Sequence, residues 1–355
     1  MDSDIMLRED DLTTPVRRAA ERPRKSGLLT RALRHPESGA LAAAIVVGVY
    51  FSVTTSQFAS PGGIGNWTDV ASTIGIVSVA VSLLMIAGEF DLSAGVMVGS
   101  SGLVVGMLST RLGVDLWVAI AAALVFAAVI GWINGYVVVR TGLPSFIVTL
   151  ATFFSLQGAN LGVTKLVTNN VRVDGLRSVD GYAQAYRLFG GTFSPWDFRV
   201  TVLWWVGFTV VAAVVLRRTA VGNWILGVGG DPLAARMMAV PVDRVKISLF
   251  MTTSVTAALV GVMVATRLGS VMATQGVGNE FMYIVCAVVG GTLLSGGHGS
   301  PVGASLGATI VGMAFIGIQF SGWNTDWRLL FLGVILLLAV LVNNFIRRSA
   351  ERPSR

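Results

Sequence analysis

A chain of 355 residues that is 54% hydrophobic and only 13% charged, with a mean hydropathy of +0.73, is too apolar for a water-soluble domain, which runs nearer ~25% charged. Its net charge of +7 and pI of about 10.2 would suit a nucleic-acid surface, but no basic and aromatic residues interleave as a single-strand groove requires, and that class is excluded. The one cysteine, Cys286, has no intrachain partner, so the redox compartment is not legible.

Residues 1–37 are polar, mixed in charge and carry Pro15, Pro23 and Pro36; they have no apolar core of a signal peptide and read as a polar cytoplasmic tail. Ten apolar runs follow, at 40–58, 70–88, 92–108, 116–139, 146–166, 200–216, 247–265, 281–294, 302–320 and 329–345. Most are near the ~20 residues that a ~30 Å hydrocarbon core demands. The eighth is short, and Gly290 and Gly291 interrupt it as in a re-entrant or broken segment. Charge favours counting it as a crossing. With the N-terminus inside and ten crossings, 18 of the 26 basic residues fall on inner segments, among them Arg140, Arg217, Arg218, Arg236, Arg244, Lys246, Arg347 and Arg348. Arg111, Lys165, Arg172, Arg177, Arg187, Arg199, Arg267 and Arg328 remain outside. The positive-inside rule thus predicts an all-α polytopic membrane protein with both termini in the cytoplasm. Its organisation reads as a tail to residue 37, a transmembrane domain over 38–346 and a short tail over 347–355, with an outer loop at 168–198 and an inner loop at 217–246.

Between the second and third runs, "GEFDLSAG" (88–95) sets Glu89 and Asp91 beside apolar chain. A carboxylate at the bilayer centre costs ~2.5–3.5 kcal/mol on insertion scales and little at the interface. Two readings stay open. Asp91 caps the following helix with its side chain on free N–H groups. Alternatively Gly88 and Gly95 let the backbone break inside the membrane, where the acids and Ser93 hold exposed peptide groups and line a path. A faint repeat lays "IAGEFDLSAG" (86–95) over "VVGGTLLSGG" (288–297) and matches Gly88 with Gly290, Leu92 with Leu294, Ser93 with Ser295 and Gly95 with Gly297. Chance and a duplicated transporter architecture both account for it.

The outer loop carries Arg172, Arg177, Arg187, Tyr182, Tyr186 and Trp196, and its length suits a docking platform or a folded cap. In the inner loop, Asp231-Pro232 suits a helix start, "LAARMMA" forms a short helix, and Pro241 ends it. It reads either as a surface connection or as a rigid helix, where Ala234 and Ala235 permit close packing against a partner. No HExxH, P-loop, nucleophile with its base, or metal-ligand set occurs, so the chain hydrolyses no ATP by itself and needs no cofactor of its own.

Four segments in order, "GEFDLSAG", "WINGYVVVRTGLPSFIVTLAT" (132–152), "GVGGDPLAARMMAVPVDRVK" (227–246) and "AVVGGTLLSGGHGSPVGASLGA" (287–308), resemble the permease subunits of bacterial ABC importers for monosaccharides, the ribose, xylose and galactose group. The likeness covers about residues 40 to 345. It implies a type II-like importer permease in the inner membrane that is homodimeric and moves a monosaccharide or related polyol. The implied partners are an ABC ATPase subunit that holds ATP and Mg on the cytoplasmic side, a periplasmic or lipid-anchored sugar-binding protein, a second permease copy and membrane lipid. By the same likeness Asp231, Ala234, Ala235 and Arg236 belong to an ATPase coupling helix, residues 231–239. Asp231 stands where the family usually has Asn, and Ala239 where it has Gly. In the first motif Asp91, Leu92 and Ser93 match the family pattern while Glu89 and Phe90 depart, so a second acid there is expected to tune solute choice. A sugar needs hydrogen-bond partners and aromatic faces, which makes Glu89, Asp91, Ser93, Asn134, Thr149, Thr152, Phe153, Gln157 and Asn160 the candidate translocation path; small polar groups that glue helices together are the alternative for Thr149 and Thr152. Close alternatives are nucleoside or branched-chain amino acid permeases. A different class, the ion-coupled secondary transporter, would use Glu89 and Asp91 as ion sites but leaves the inner helix unexplained.

Overall fold

The computed structural model describes residues 37–193, 198–324 and 326–351, so the 1–36 tail and Trp196 of the outer loop lie outside the described residues. Twelve helices of more than one turn are described: α1 Glu37–Thr54, α2 Pro61–Ile86, α3 Ser93–Arg111, α4 Leu116–Thr141, α5 Ser145–Thr168, α6 Val200–Arg218, α7 Ala220–Gly230, α8 Pro232–Met237, α9 Val242–Leu268, α10 Asn279–Val289, α11 Pro301–Phe320 and α12 Trp327–Glu351. Eight of these (α1–α6, α9 and α11) are long and apolar enough to cross a membrane, and α10 and the first part of α12 are shorter apolar helices. The ten segments expected from the sequence are therefore all present, and the chain is a polytopic all-α membrane protein.

Local chemistry fixes the ends. Ser60 and Ser300 cap α2 and α11, each followed by a proline that needs no N–H partner. Asp115 caps α4 through Trp117 N–H at 2.9 Å, and Gly142 closes it in the left-handed conformation. Burial then sorts the helices. The apolar windows of α2, α3, α9 and α11 are buried for two thirds or more of their length, those of α1, α4, α5 and α6 for a third or less. Four helices form the core and four present apolar side chains outward, as lipid-facing helices do. Small residues let core helices approach, with Gly131 and Gly135 of α4 seated on Phe250 and Ile247 of α9.

The eighth crossing is not one helix. At 1.5 Å per residue the 11 residues of α10 reach about 16 Å, half of a hydrocarbon core. A short strand and consecutive turns lead into it: Val271 packs on Gly106 and Gly102 of α3, Gln275 on Gly99, and Gly276 and Glu280 on Gly95, so the segment runs antiparallel along α3. A two-stranded sheet of β1 (Arg172–Asp174) and β2 (Ser270–Met272) joins this segment to the outer loop. That loop is folded rather than open. It includes a single helical turn at Tyr182–Ala185 and a π-helical turn at Tyr186–Gly190, and the Tyr182 hydroxyl donates to the Thr266 carbonyl at 2.7 Å.

Two helix breaks, 87–92 between α2 and α3 and 290–300 between α10 and α11, end the preceding helix with the same hydrogen bonds. Gly88 N–H donates to Met85 at 2.9 Å and Glu89 N–H to Leu84 at 3.1 Å; Gly291 N–H donates to Val288 at 2.9 Å and Thr292 N–H to Ala287 at 3.0 Å. Gly88 and Gly291 both take positive φ, 85° and 92°, which glycine adopts without a Cβ penalty. The structural register pairs Gly88 with Gly291, one residue away from the sequence match with Gly290.

Charge divides between the two ends of the bundle. At the outer end Asp69 accepts from Arg267 at 2.6 Å and pairs with Arg199 at 3.1 Å. At the other, Arg217 pairs with Glu37, Arg236 with Asp243 and Lys246 with Glu89.

Candidate translocation and coupling site

The break at 87–92 leaves backbone N–H groups that a regular helix would have satisfied, and α5 supplies acceptors for two of them. Phe90 N–H donates to Ser145 Oγ at 3.0 Å and Leu92 N–H to Thr149 Oγ1 at 3.1 Å. Asp91 holds the start of α3: its Oδ1 accepts from Ser93 N–H at 2.8 Å and from Ser93 Oγ at 2.6 Å, and its Oδ2 from Thr253 Oγ1 of α9 at 3.0 Å. The chain of polar contacts goes on through Asn134 Nδ2, which donates to Ser93 Oγ at 3.0 Å, to Thr152 Oγ1, which donates to Asn134 Oδ1 at 2.6 Å. Thr253, Asp91, Ser93, Asn134 and Thr152 thus link α9, the break, α3, α4 and α5 in one continuous network. Asp91, Ser93, Asn134 and Thr253 are buried.

Helix geometry gives its depth. Asn134 lies seven residues from the end of α4 and Thr253 eleven from the start of α9, about 10 and 16 Å at 1.5 Å per residue. The network therefore sits well inside the bundle, and both readings of Asp91 meet in one arrangement: its carboxylate holds the start of α3 at the place where the helix is interrupted. A buried carboxylate without a cation needs donors on both oxygens, and three are present.

Glu89 is elsewhere in this arrangement. Its carboxylate pairs with Lys246 of α9, with side-chain exposures of 10% and 18%, on the side of the break away from Ser93. Of the remaining path candidates on α5, Phe153 is buried in the apolar core, Gln157 is half-buried, and Asn160 is buried with its Nδ2 lacking a protein partner. Thr149 and Thr152, expected as helix glue or lining, are both engaged with the break or its neighbours. Sequence reading passed over Ser145, Lys246 and Thr253, which hold the break from α5 and α9. Glu280, whose two carboxylate oxygens accept from Gly278 N–H at 3.0 and 3.1 Å against Gly95, was also missed. A serine, a threonine, an acid and a lysine inside or beside apolar runs were the available signal.

The inner loop folds as two helices joined at Asp231. Asp231 Oδ1 accepts from Leu233 N–H at 2.9 Å and Ala234 N–H at 3.1 Å, Pro232 occupies the first helical position, and α8 ends at Met237. Ala239 follows at φ 59°, the left-handed region in which the glycine of the family pattern sits without cost. Only Ala235 of α8 is buried; Leu233, Met237 and Met238 are 75%, 89% and 81% exposed. A six-residue helix that, with the residue after it, turns three large apolar side chains outward presents a contact surface.

Residues 63–340 match the family described as branched-chain amino acid transport system / permease component. Among curated proteins, the chain is 32% identical over 279 residues to the fructose import permease protein FrcC of Rhizobium meliloti, covering 78% of this chain and 76% of that one. It is 31% identical over 311 residues to the ribose import permease protein RbsC of Escherichia coli K12, covering 87% and 94%. The ribose import permease protein RbsC of Bacillus subtilis 168 is 30% identical over 299 residues, covering 84% and 89%. No solved structure matches the chain.

Proposed function

The chain belongs to the branched-chain amino acid transport system / permease component family, and from that premise we propose that it is the inner-membrane permease of an ATP-driven importer for a monosaccharide or related polyol. The observation that carries the reading is α8, a capped helix whose apolar side chains project from the bundle beside a broken membrane helix. An ion-coupled carrier has no use for such a helix, whereas a subunit driven from outside the membrane needs a rigid handle. The chain contains no nucleotide-binding motif, so ATP and Mg are held by a separate ATPase that docks on α8 through Leu233, Met237 and Met238. Asp231 and Arg236 keep α8 in shape, the first by capping it and the second by its pair with Asp243.

Solute passes where the broken segments meet the polar face of α5. Asp91, Ser93, Asn134, Thr149 and Thr152 position the break, and Phe153, Gln157 and Asn160 farther along α5 offer the aromatic face and amide groups that a polyhydroxy solute uses. In this reading Glu89 is committed to Lys246, and holding the break replaces tuning of solute choice as its role. Exposed Arg172, Arg177 and Arg187 on the folded outer loop receive a sugar-loaded binding protein, and the exposed apolar side chains of α5 face a second copy of the permease.

Sugar as the solute class is supported by the names of the relatives, and the family's own description names amino acids. The complex of permease, ATPase and binding protein, reconstituted in vesicles, is expected to take up ribose or fructose and not leucine. Leucine uptake without sugar uptake would move the chain to the amino-acid class.

A further inference from the structure

The two helix breaks and the residues just ahead of α8 meet backbone to backbone. Gly297 N–H donates to the Ile86 carbonyl at 2.8 Å, so the second break is bonded to the last turn of α2. Gly229, two residues before the Asp231 cap, fills the remaining space: a Cβ there would overlap the Ile86 carbonyl oxygen and stand 2.6 Å from Gly297 N. A Cβ at Gly296 would lie 2.9 Å from both the Gly229 carbonyl oxygen and Gly88 Cα. A second grip lies on the far side of α8, where Lys246 pairs with Glu89 in the first break. The segment that carries α8 therefore holds the break at 87–92 from both of its ends.

We infer that Gly229, Gly296 and Gly297 are positioning residues that pass displacement of α8 directly to both broken helices. Packed side chains absorb small displacements by changing rotamer. Bare backbone in contact has no such slack, and an N–H bonded to a carbonyl moves with it. A shift of α7 and α8 then moves the end of α2 and the 290–300 break together, which displaces the Asp91 network at one break and the start of α11 at the other. The inference rests on α8 being the ATPase-driven helix, and it names the route that the motion takes from there.

The test compares Gly229→Ala with Gly227→Ala in the reconstituted complex. Both add one methyl group to α7, but a Cβ at Gly227 makes only ordinary contact, 4.0 Å from Ala235 Cβ. Gly229→Ala is expected to lose uptake while ATP hydrolysis persists, and Gly227→Ala to keep both. Equal uptake in the two variants would overturn the relay. Because Gly229→Ala alters a tight contact and its assembly can fail, backbone hydrogen exchange of the wild-type complex is measured as well, nucleotide-free and vanadate-trapped. Exchange is expected to change together at 84–92, 227–237 and 293–300. A change at 227–237 alone would overturn the relay and leave the coupling-helix reading standing. No change at 227–237 would overturn that reading, and the relay with it.

Discussion

Replacing residues 231–236 with a Gly-Ser run is expected to abolish ATP-driven uptake while the permease still inserts and assembles. Six residues make fewer than two helical turns, too few for a stable helix in water, so α8 depends on its Asp231 cap, its proline start and the seat of Ala235. Gly-Ser removes all three. Little burial is lost, since Leu233, Met237 and Met238 already face outward. The membrane helices keep their contacts, so the effect falls on transmission: a flexible tether cannot move the break. Arg236→Glu is the milder form, because it sets a second acid beside Asp243 in place of the ion pair. Both variants are compared with wild type for folded yield, ATP hydrolysis stimulated by the loaded binding protein, and uptake in vesicles. Wild-type uptake in the Gly-Ser variant would remove α8 from the mechanism.

Asp91→Ala is the second large effect, and it acts on the break itself. Alanine removes the acceptor of three hydrogen bonds and strands Ser93 N–H in the interior. The Thr253 hydroxyl has other acceptors in the Leu249 and Phe250 carbonyls at 3.3 and 2.9 Å, which limits the loss. A stranded buried donor costs about 1–3 kcal/mol, so folded protein falls moderately in yield and melting temperature. Uptake is expected to fall further than yield, because the start of α3 is no longer fixed to α9. Asp91→Asn separates charge from hydrogen bonding. Its Oδ1 still accepts from Ser93, and Thr253 can accept from Nδ2, so this variant is expected to transport. If Asn fails as Ala does with stability intact, the negative charge itself is required. If uptake and yield fall in proportion, Asp91 serves as a cap alone.

The membrane helices and α8 were legible because each rests on a local signal. Apolar runs of hydrocarbon-core length mark spans, and Asp231-Pro232 followed by small helix formers marks a capped helix; the structure starts α8 at Pro232 and ends it at Met237, two residues short of the expected Ala239. The break at 87–92 was equally local, since glycine and acids interrupt two apolar runs. What the sequence hid depends on distant partners. Thr253 lies 162 residues from Asp91, and Lys246 lies 157 from Glu89, so no spacing rule links them. The 220–230 segment read as polar loop because it sits next to arginines, yet α7 forms there with Ile225 and Val228 buried. In the eighth segment, glycines and polar residues over 273–278 hid a run of turns packed against α3, because consecutive turns have no helical periodicity to detect. On α5 the sequence could mark polar positions but not which of them meet the break. Ser145, Thr149 and Thr152 do so because they lie in the first two turns, whereas Gln157 and Asn160 lie farther along.

The central claim is that solute crosses on energy from a partner ATPase, with the breaks at 87–92 and 290–300 moving in response. It is tested most directly by uptake of labelled ribose or fructose into vesicles holding permease, ATPase and binding protein, with ATP supplied on the ATPase side and with proton and sodium gradients collapsed. The account predicts uptake that requires ATP and all three components and is unchanged by loss of the gradients. Uptake by the permease alone, driven by an imposed proton or sodium gradient and indifferent to ATP, would contradict it.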